Sequence, residues 1–405
     1  MNIVVVSDFA YVNGGNAAVA LSSAVGLAQQ GHAVTLFAGA GPVDPRIQSS
    51  AVTVVCTDQQ SIGDDPRRTR AMVQGIWNAK AARTMARMLE SMDLDRTVVH
   101  VHGWDKVLSS SVVRTAIRMG AKVVCTYHDY VSVCPNGGFY NHPKDEICHL
   151  RPLSVSCVLE GCDRRGYAQK LWRVARHVVQ KRWGLVPDGI EHVIVVSDFS
   201  RNVLQPFLSS RTRIHHVSNM TTVMRDVPAT PSENSAYVMV GRMSREKGPH
   251  LLASVAQRSG WNVRFVGDGE SVPEIRRAAP RSVITGWLPH SAVLKEIAHA
   301  RALIFPSLWY EGEPLVILEA AALGIPAVVA DSGAARDLVI HGETGLHFRS
   351  GDDRHLQTVM DRLLDHQLVR RLGEAAYHRY WQRPRSLERH ITDLERVYEQ
   401  VLGEK

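Results

Sequence analysis

The chain spells one short grammar twice: a buried apolar strand, a glycine-bearing loop, a helix and another apolar strand. The first copy runs through Asn2–Ser7, Gly14-Gly15, a helical pattern from Asn16 to Gln30 stopped by Gly31, and Ala33–Phe37. The second runs through Ala236–Val240, a loop from Gly241 to Gly248, a helix opening at Pro249, and Val263–Val266. Apolar runs without alternation belong to strands covered on both faces, and parallel sheets with crossover helices provide that cover. Further runs at 98–101, 122–126 and 192–196 extend the first sheet, and runs at 283–284, 302–305 and 327–329 extend the second. The fold class read from this is α/β: two Rossmann-like, doubly wound parallel-sheet domains facing an interdomain cleft. Asn, Thr, Pro and Ser punctuation over Ser218–Glu233 sets the boundary, giving domains 1–217 and 218–383 before a charged amphipathic helix at about 384–405.

With 405 residues, either half is large enough to build its own core. A hydrophobic content of 45% and a charged content of 21% exclude a disordered chain. No apolar run approaches the ~18–20 residues that cross a bilayer, and Met1–Asp8 lacks a basic leader, so a cytoplasmic location is expected. The net charge of +7 suits an anionic ligand or membrane surface, but it is too diffuse for a nucleic-acid partner.

In open α/β sheets ligands bind beyond the carboxyl ends of the strands, so the loops there carry the chemistry. Gly241-Arg242-Met243-Ser244-Arg245-Glu246-Lys247-Gly248 places two cations before a helix N-terminus. Free N–H groups and positive side chains there suit a diphosphate, although a solvated basic turn has the same composition. The segment from Pro306 to Glu319 places Glu311 in a loop and Glu319 about two turns away on the helix that follows. Carboxylates accept hydrogen bonds from vicinal diols, which suits a ribose or a hexose. Glu313 and Glu319 also read as plain helix-N-terminal charges.

These motifs, in this order, resemble the retaining glycosyltransferases of family 4, with the fold type called GT-B. The likeness rests on Gly-Arg-x-x-x-x-Lys-Gly, the Glu311/Glu319 pair, Ser332-Gly333, Gly342–Leu346, Gly14-Gly15, His100-Val-His102, Tyr127-His128-Asp129 and Val196–Ser200. It implies that Arg242 and Lys247 bind the donor diphosphate, Glu319 the ribose and Glu311 the donor sugar, with Gly312, Glu313, Pro314 and Leu315 assisting beside Ser307. Gly267, Gly286, Trp287 and Leu288 would border the nucleobase, and Gly14 and Gly15 would approach the diphosphate. His128 would sit by the transferred sugar, with His102 and Asp129 on the acceptor side. The terminal helix would pack back on the first domain.

The implied reaction is retaining transfer of a hexose from a nucleoside diphosphate sugar, UDP favoured, to a glycan or lipid-linked glycan, in bacterial polysaccharide biosynthesis. No Asp-x-Asp motif lies near either glycine loop, so no catalytic metal is expected. A nucleotide-sugar epimerase of the same fold type and a non-catalytic sugar-nucleotide-binding subunit are the alternatives. Glu311-Gly312-Glu313-Pro314 stands where the family often has Glu-Gly-Phe-Gly, a departure that bears on the choice of sugar.

Two features lie outside that pattern. Cys134, Cys148, Cys157 and Cys162 fall in a Gly-, Asn- and Pro-rich stretch that four thiolates on a structural Zn2+ would staple, with four unconnected thiols as the other reading. Residues 164–183 hold seven cations and no carboxylate, with Tyr167, Leu171, Val174 and Val178 at helical spacing. That pattern fits either peripheral contact with an anionic inner-membrane face or an ordinary packed helix with a solvated basic face.

Overall fold

The computed structural model describes residues 1–403. The chain forms two compact units: residues 1–138, 150–220 and 386 onward make one, and residues 139–149 and 221–385 make the other. The first is built on a seven-stranded sheet in the order Thr53–Cys56, Ala33–Ala40, Asn2–Phe9, Thr97–Val101, Lys122–Tyr127, His192–Val195, Arg213–His216. Every neighbouring pair is parallel, with Val4 lying between Thr35 and Val99. Central residues such as Val4, Val5 and Val99 are wholly buried, which is why their sequences run apolar without alternation.

The terminal helix Leu387–Gly403 packs on this unit. Its Ile391, Leu394, Val397, Tyr398 and Val401 share a core with Leu21 and Leu27. Gly26 admits the close approach, since a Cβ there would come within 2.8 Å of Ile391. Two polar pairs fix the register: His390 Nε2 with Ser23 Oγ at 3.0 Å, and Tyr398 Oη with His100 Nδ1 at 2.6 Å.

The second unit has a six-stranded parallel sheet in the order Val283–Ile284, Val263–Val266, Ala236–Val240, Ala300–Phe305, Ala327–Ala330, Gly345–Phe348. A two-stranded antiparallel hairpin, Tyr140–Asn141 with Glu146–Ile147, belongs to this unit although it is encoded far upstream. Tyr140, only 1% exposed, joins Tyr237, Met243, Phe265 and Leu308 in the core, with Ile147 packed alongside.

Three strands of the two parallel sheets lack a sequence signal, and all are sheet edges. Thr53–Cys56 and Arg213–His216 are largely half-exposed or exposed, and Gly345–Phe348 opens on glycine and carries His347. The first two need no cover on both faces, so no continuous apolar run marks them. Among the described residues no helix is long and apolar enough to cross a membrane.

Candidate active site

Two loops at the carboxyl ends of neighbouring strands are tied together in the second unit. Ala236–Val240 leads into the loop Gly241–Gly248, and Ala300–Phe305 leads into Pro306–Pro314. The Leu308 N–H donates to the Glu246 carbonyl at 2.8 Å. Gly248, at φ 72° with the Pro306 carbonyl in the space a Cβ would take, has to be glycine. This seam brings Lys247 to Glu311: Nζ lies 2.6 Å from Oε1. The same carboxylate oxygen accepts from Ser307 Oγ at 2.7 Å and Trp309 Nε1 at 2.8 Å. The Lys247 ammonium stands 5.3 Å from the centre of the Trp309 ring, within reach of a cation–π contact.

Arg242 bends back on its own loop, with Nη2 2.8 Å from Glu246 Oε1 and Nε 3.2 Å from Ser244 Oγ. Glu246 is 1% exposed. Burial works against its charge, but the Ser244 hydroxyl, a backbone N–H, Arg242 and His142 outweigh it and hold the carboxyl below its usual range. His142, on the upstream hairpin, reaches Glu246 Oε2 at 3.9 Å. The hairpin's Asp145 also grips Arg245 at 2.5 Å, and Arg245 reaches Glu274 at 3.0 Å.

Glu319 lies in the Leu315–Ala322 helix and is 8% exposed, with Oε1 2.8 Å from His290 Nε2. His290 opens its own helix, His290–Ala298, after Pro289. Pro314 precedes the Leu315 helix, whose first N–H groups have no partner inside it. The Glu313 side chain is buried to 1% and faces Arg385 at 3.7 Å, so it is not a solvated helix-terminal charge. Gly267 and Gly286 pair through an isolated antiparallel bridge, Leu288 packs on the core, and Trp287 is 76% exposed.

A polar pocket lies at the strand ends of the first unit, lined by Asn16, His102, Trp104, Asp105, His128 and Asp129 among others. His102 Nδ1 and His128 Nε2 are 3.0 Å apart, and His102 packs on His100, with ring centres 4.0 Å apart. Burial lowers all three: His128 to about 3, His100 and His102 well below the ordinary value. They are therefore neutral near pH 7. Burial, with Asp105 nearby, raises Asp129 to about 6. Asp8, at the end of Asn2–Phe9, is raised to about 6 for the same reasons, although it accepts from the N–H groups of Lys106, Val107 and Leu108 at 2.8–2.9 Å. Gly14 and Gly15 stand at the start of the Gly15–Gln29 helix, where a Cβ on either would meet nothing within 4 Å. The fold itself therefore does not demand glycine at those two positions.

Two family models match in succession: residues 13–223 match Glycosyltransferase Family 4, and residues 221–379 match Glycosyl transferases group 1. The chain belongs to glycosyltransferase family 4. An exopolysaccharide phosphotransferase of Streptomyces coelicolor is 38% identical over 167 residues, covering 37% of this chain and 17% of that one. A GDP-mannose-dependent alpha-mannosyltransferase of Mycolicibacterium smegmatis is 34% identical over 117 residues, covering 29% of this chain and 31% of that one. The chain thus spans less than a third of the length of either relative. Anabaena Alr3699/HepE in complex with UDP-glucose superposes with a TM-score of 0.69 at 16% identity, covering 99% of this chain and 100% of that one. The two Rossmann-like units are the GT-B architecture of the family.

Some residues of this family 4 chain escaped sequence reasoning. Asp8 and His290 are single polar residues whose one signal was position, at a strand end and at a helix start. Cys148 belongs to the second unit, Cys134, Cys157 and Cys162 to the first. Among the described residues no three His, Cys, Asp or Glu side chains are grouped to hold a metal ion. The Lys170 ammonium lies against the sulfurs of Cys157 and Cys162, where it would repel a divalent cation, so the structural zinc is not supported.

The basic helix, Tyr167–Arg182, is turned the other way from an ordinary amphipathic helix. It buries Lys170, His177 and Gln180 and exposes Tyr167, Leu171 and Val178, with Trp183 just beyond it. Arg173 is held by Asp163 at 2.7 Å, and Arg176 donates to the Asp105 carbonyl at 3.0 Å.

Proposed function

We propose that this family 4 chain transfers a hexose from a nucleoside diphosphate sugar, UDP favoured, to a hydroxyl of a glycan or lipid-linked glycan. Transfer proceeds with retention and without a metal. The observation that carries the reading is the Lys247–Glu311 contact within a seam of two strand-end loops. In this reading the pyrophosphate draws Lys247 and Arg242 from their carboxylates, and Glu311 turns to the hydroxyls of the donor sugar. Glu319, steadied by His290, holds the ribose. Gly267, Gly286, Trp287 and Leu288 border the base.

Cleaving the glycosyl–phosphate bond places negative charge on the pyrophosphate. Cations held in place before the reaction stabilise that charge without reorganisation, and each such donor is worth ~3–4 kcal/mol. His128 and His102, neutral and weakly basic, suit hydrogen bonds to the sugars better than proton abstraction. This agrees with same-face attack in which the leaving phosphate takes the acceptor proton. Asp129 orients the acceptor hydroxyl.

UDP rests on the UDP-glucose bound by the Anabaena neighbour, and the mannosyltransferase relative names GDP-mannose as the rival donor. Turnover of a panel of UDP- and GDP-sugars, read as released nucleotide with wild type and Lys247→Ala, tests the proposal. Equal turnover by both proteins overturns it.

The reading includes peripheral contact with an anionic inner-membrane face, where a lipid-linked acceptor would lie. Its support is the outward apolar stripe of Tyr167, Leu171 and Val178, with exposed Lys181 and Arg182 beside it.

A further inference from the structure

Lys170 is 1% exposed, and among the described residues both hydrogen-bond partners of its ammonium are sulfur. Its Nζ donates to Cys162 Sγ at 3.2 Å and to Cys157 Sγ at 3.6 Å. Cys157 and Cys162 are themselves 5% and 3% exposed. Cys157 lies in the short helix Val155–Leu159, Cys162 in the turn after it, and Lys170 in the first turns of Tyr167–Arg182. The fold thus holds an amine against a thiol across a segment with little apolar core of its own. A charged lysine at such a site is costly unless negative charge lies beside it.

We propose that Lys170 and Cys162 form an oxidant-triggered covalent cross-link, a sulfenamide joining Nζ to Sγ. The oxidant is a peroxide. In the first step the Cys162 sulfur attacks one peroxide oxygen and the O–O bond breaks. The thiol becomes a sulfenic acid and one water leaves; sulfur is oxidised by two electrons and peroxide is reduced by two. In the second step the Lys170 nitrogen lone pair attacks the sulfenic sulfur, and the S–O bond breaks. The hydroxide departs with an amine proton as a second water, with no further change in electron count. Sulfenic acids condense in this way with a backbone nitrogen, and here the Lys170 amine occupies the attacking position. An external thiol reverses the link by attacking sulfur and releasing the amine.

The electrostatics favour that order of events. Burial opposes charge on Lys170, while Cys162, Cys157 and Cys134 favour it strongly enough to raise its pKa. Oxidation of Cys162 removes the leading favourable partner. The neutral amine is the form that attacks, and burial favours it, opposed then by Cys157 and Cys134 alone. The link would staple the 157–162 turn to the helix, and it does not depend on the glycosyl-transfer reading.

The test is peptide mapping of the whole protein after brief treatment with hydrogen peroxide, with remaining thiols alkylated under denaturing conditions. The expected product joins the Cys162 and Lys170 peptides with the loss of two hydrogens, resists trypsin after Lys170, and disappears on treatment with dithiothreitol. It is absent from Lys170→Arg and Cys162→Ser and persists in Cys157→Ser. A Cys157–Cys162 disulfide in wild type, or a Cys162 sulfinic acid beside an unmodified Lys170, overturns the proposal. The wild-type map decides even if a variant fails to fold.

Discussion

Lys247 and Glu311, 64 residues apart in the chain, meet at 2.6 Å because the Leu308 amide is bonded to the carbonyl of Glu246, Lys247's neighbour. The backbone bond sets the two loops before any ligand arrives, and both side chains stay within reach of a bound diphosphate sugar. Removing the ammonium should therefore act mainly on the bond-breaking step. Lys247→Ala is expected to lower kcat/KM by about 10²–10³-fold while leaving the melting temperature near that of wild type. Steady-state kinetics with thermal melts check both halves. Lys247→Arg, which keeps charge but not shape, should recover part of the loss.

Glu319 should behave differently. In the proposed reading its carboxylate binds rather than reacts, so Glu319→Ala is expected to raise the donor KM roughly tenfold, the equivalent of one charged hydrogen bond, with a smaller change in kcat. His290→Ala, which removes the partner at 2.8 Å, should shift KM in the same direction by less. Titration with nucleoside diphosphate, followed by calorimetry, separates the two effects.

Acid should unfold the first unit early. Burial holds His128 and His177 at about 3, and His100 and His102 are also lowered well below their ordinary value. Between that range and about 6.5 the unfolded chain binds more protons at these sites than the folded one, so stability falls as pH drops. Asp8 and Asp129, raised to about 6, act in the opposite sense between about 4 and 6. Four strongly lowered histidines outweigh two moderately raised aspartates. The melting temperature should drop steadily from pH 7 to pH 5. A flat profile would show the histidines to be solvated.

The upstream hairpin gives a sharper test of packing. Tyr140→Ala removes a ring that is 1% exposed in the core of the second unit, at an expected cost on the order of 3 kcal/mol. Hydrogen exchange should quicken in Ala236–Val240 and Val263–Val266, not in Asn2–Phe9. Asp145→Ala, at a partly exposed ion pair, should cost about 1 kcal/mol or less.

The outward face of Tyr167–Arg182 predicts which changes affect membrane contact. Leu171→Glu with Val178→Glu should abolish sedimentation with anionic vesicles without loss of fold. Arg173→Glu should instead weaken the fold, because Arg173 is tied to buried Asp163. Unchanged vesicle binding in the first variant would remove the membrane reading.

Much of this was legible in the residues. Buried strands such as Asn2–Phe9 and Ala236–Val240 announce themselves because their central residues, covered on both faces, form apolar runs. Lys247 and Glu311 announce themselves because glycines and charges crowd loops between a strand and a helix. The edge strand Arg213–His216 stayed hidden because a half-covered strand can carry any residue. The basic helix misled because seven cations read as a wet face, whereas Arg173, Arg176 and Lys170 find partners inside. The cysteines misled because spacing cannot say that Lys170 arrives against Cys157 and Cys162.

Residues 139–149 have one further consequence. A gene fragment opening at Thr221 would encode every strand of the six-stranded sheet yet omit Tyr140, leaving a ring-sized hole and a bare apolar wall. Exchanging lobes between relatives at that junction would carry the same defect, so hybrid enzymes should inherit this hairpin together with the lobe whose interior it fills.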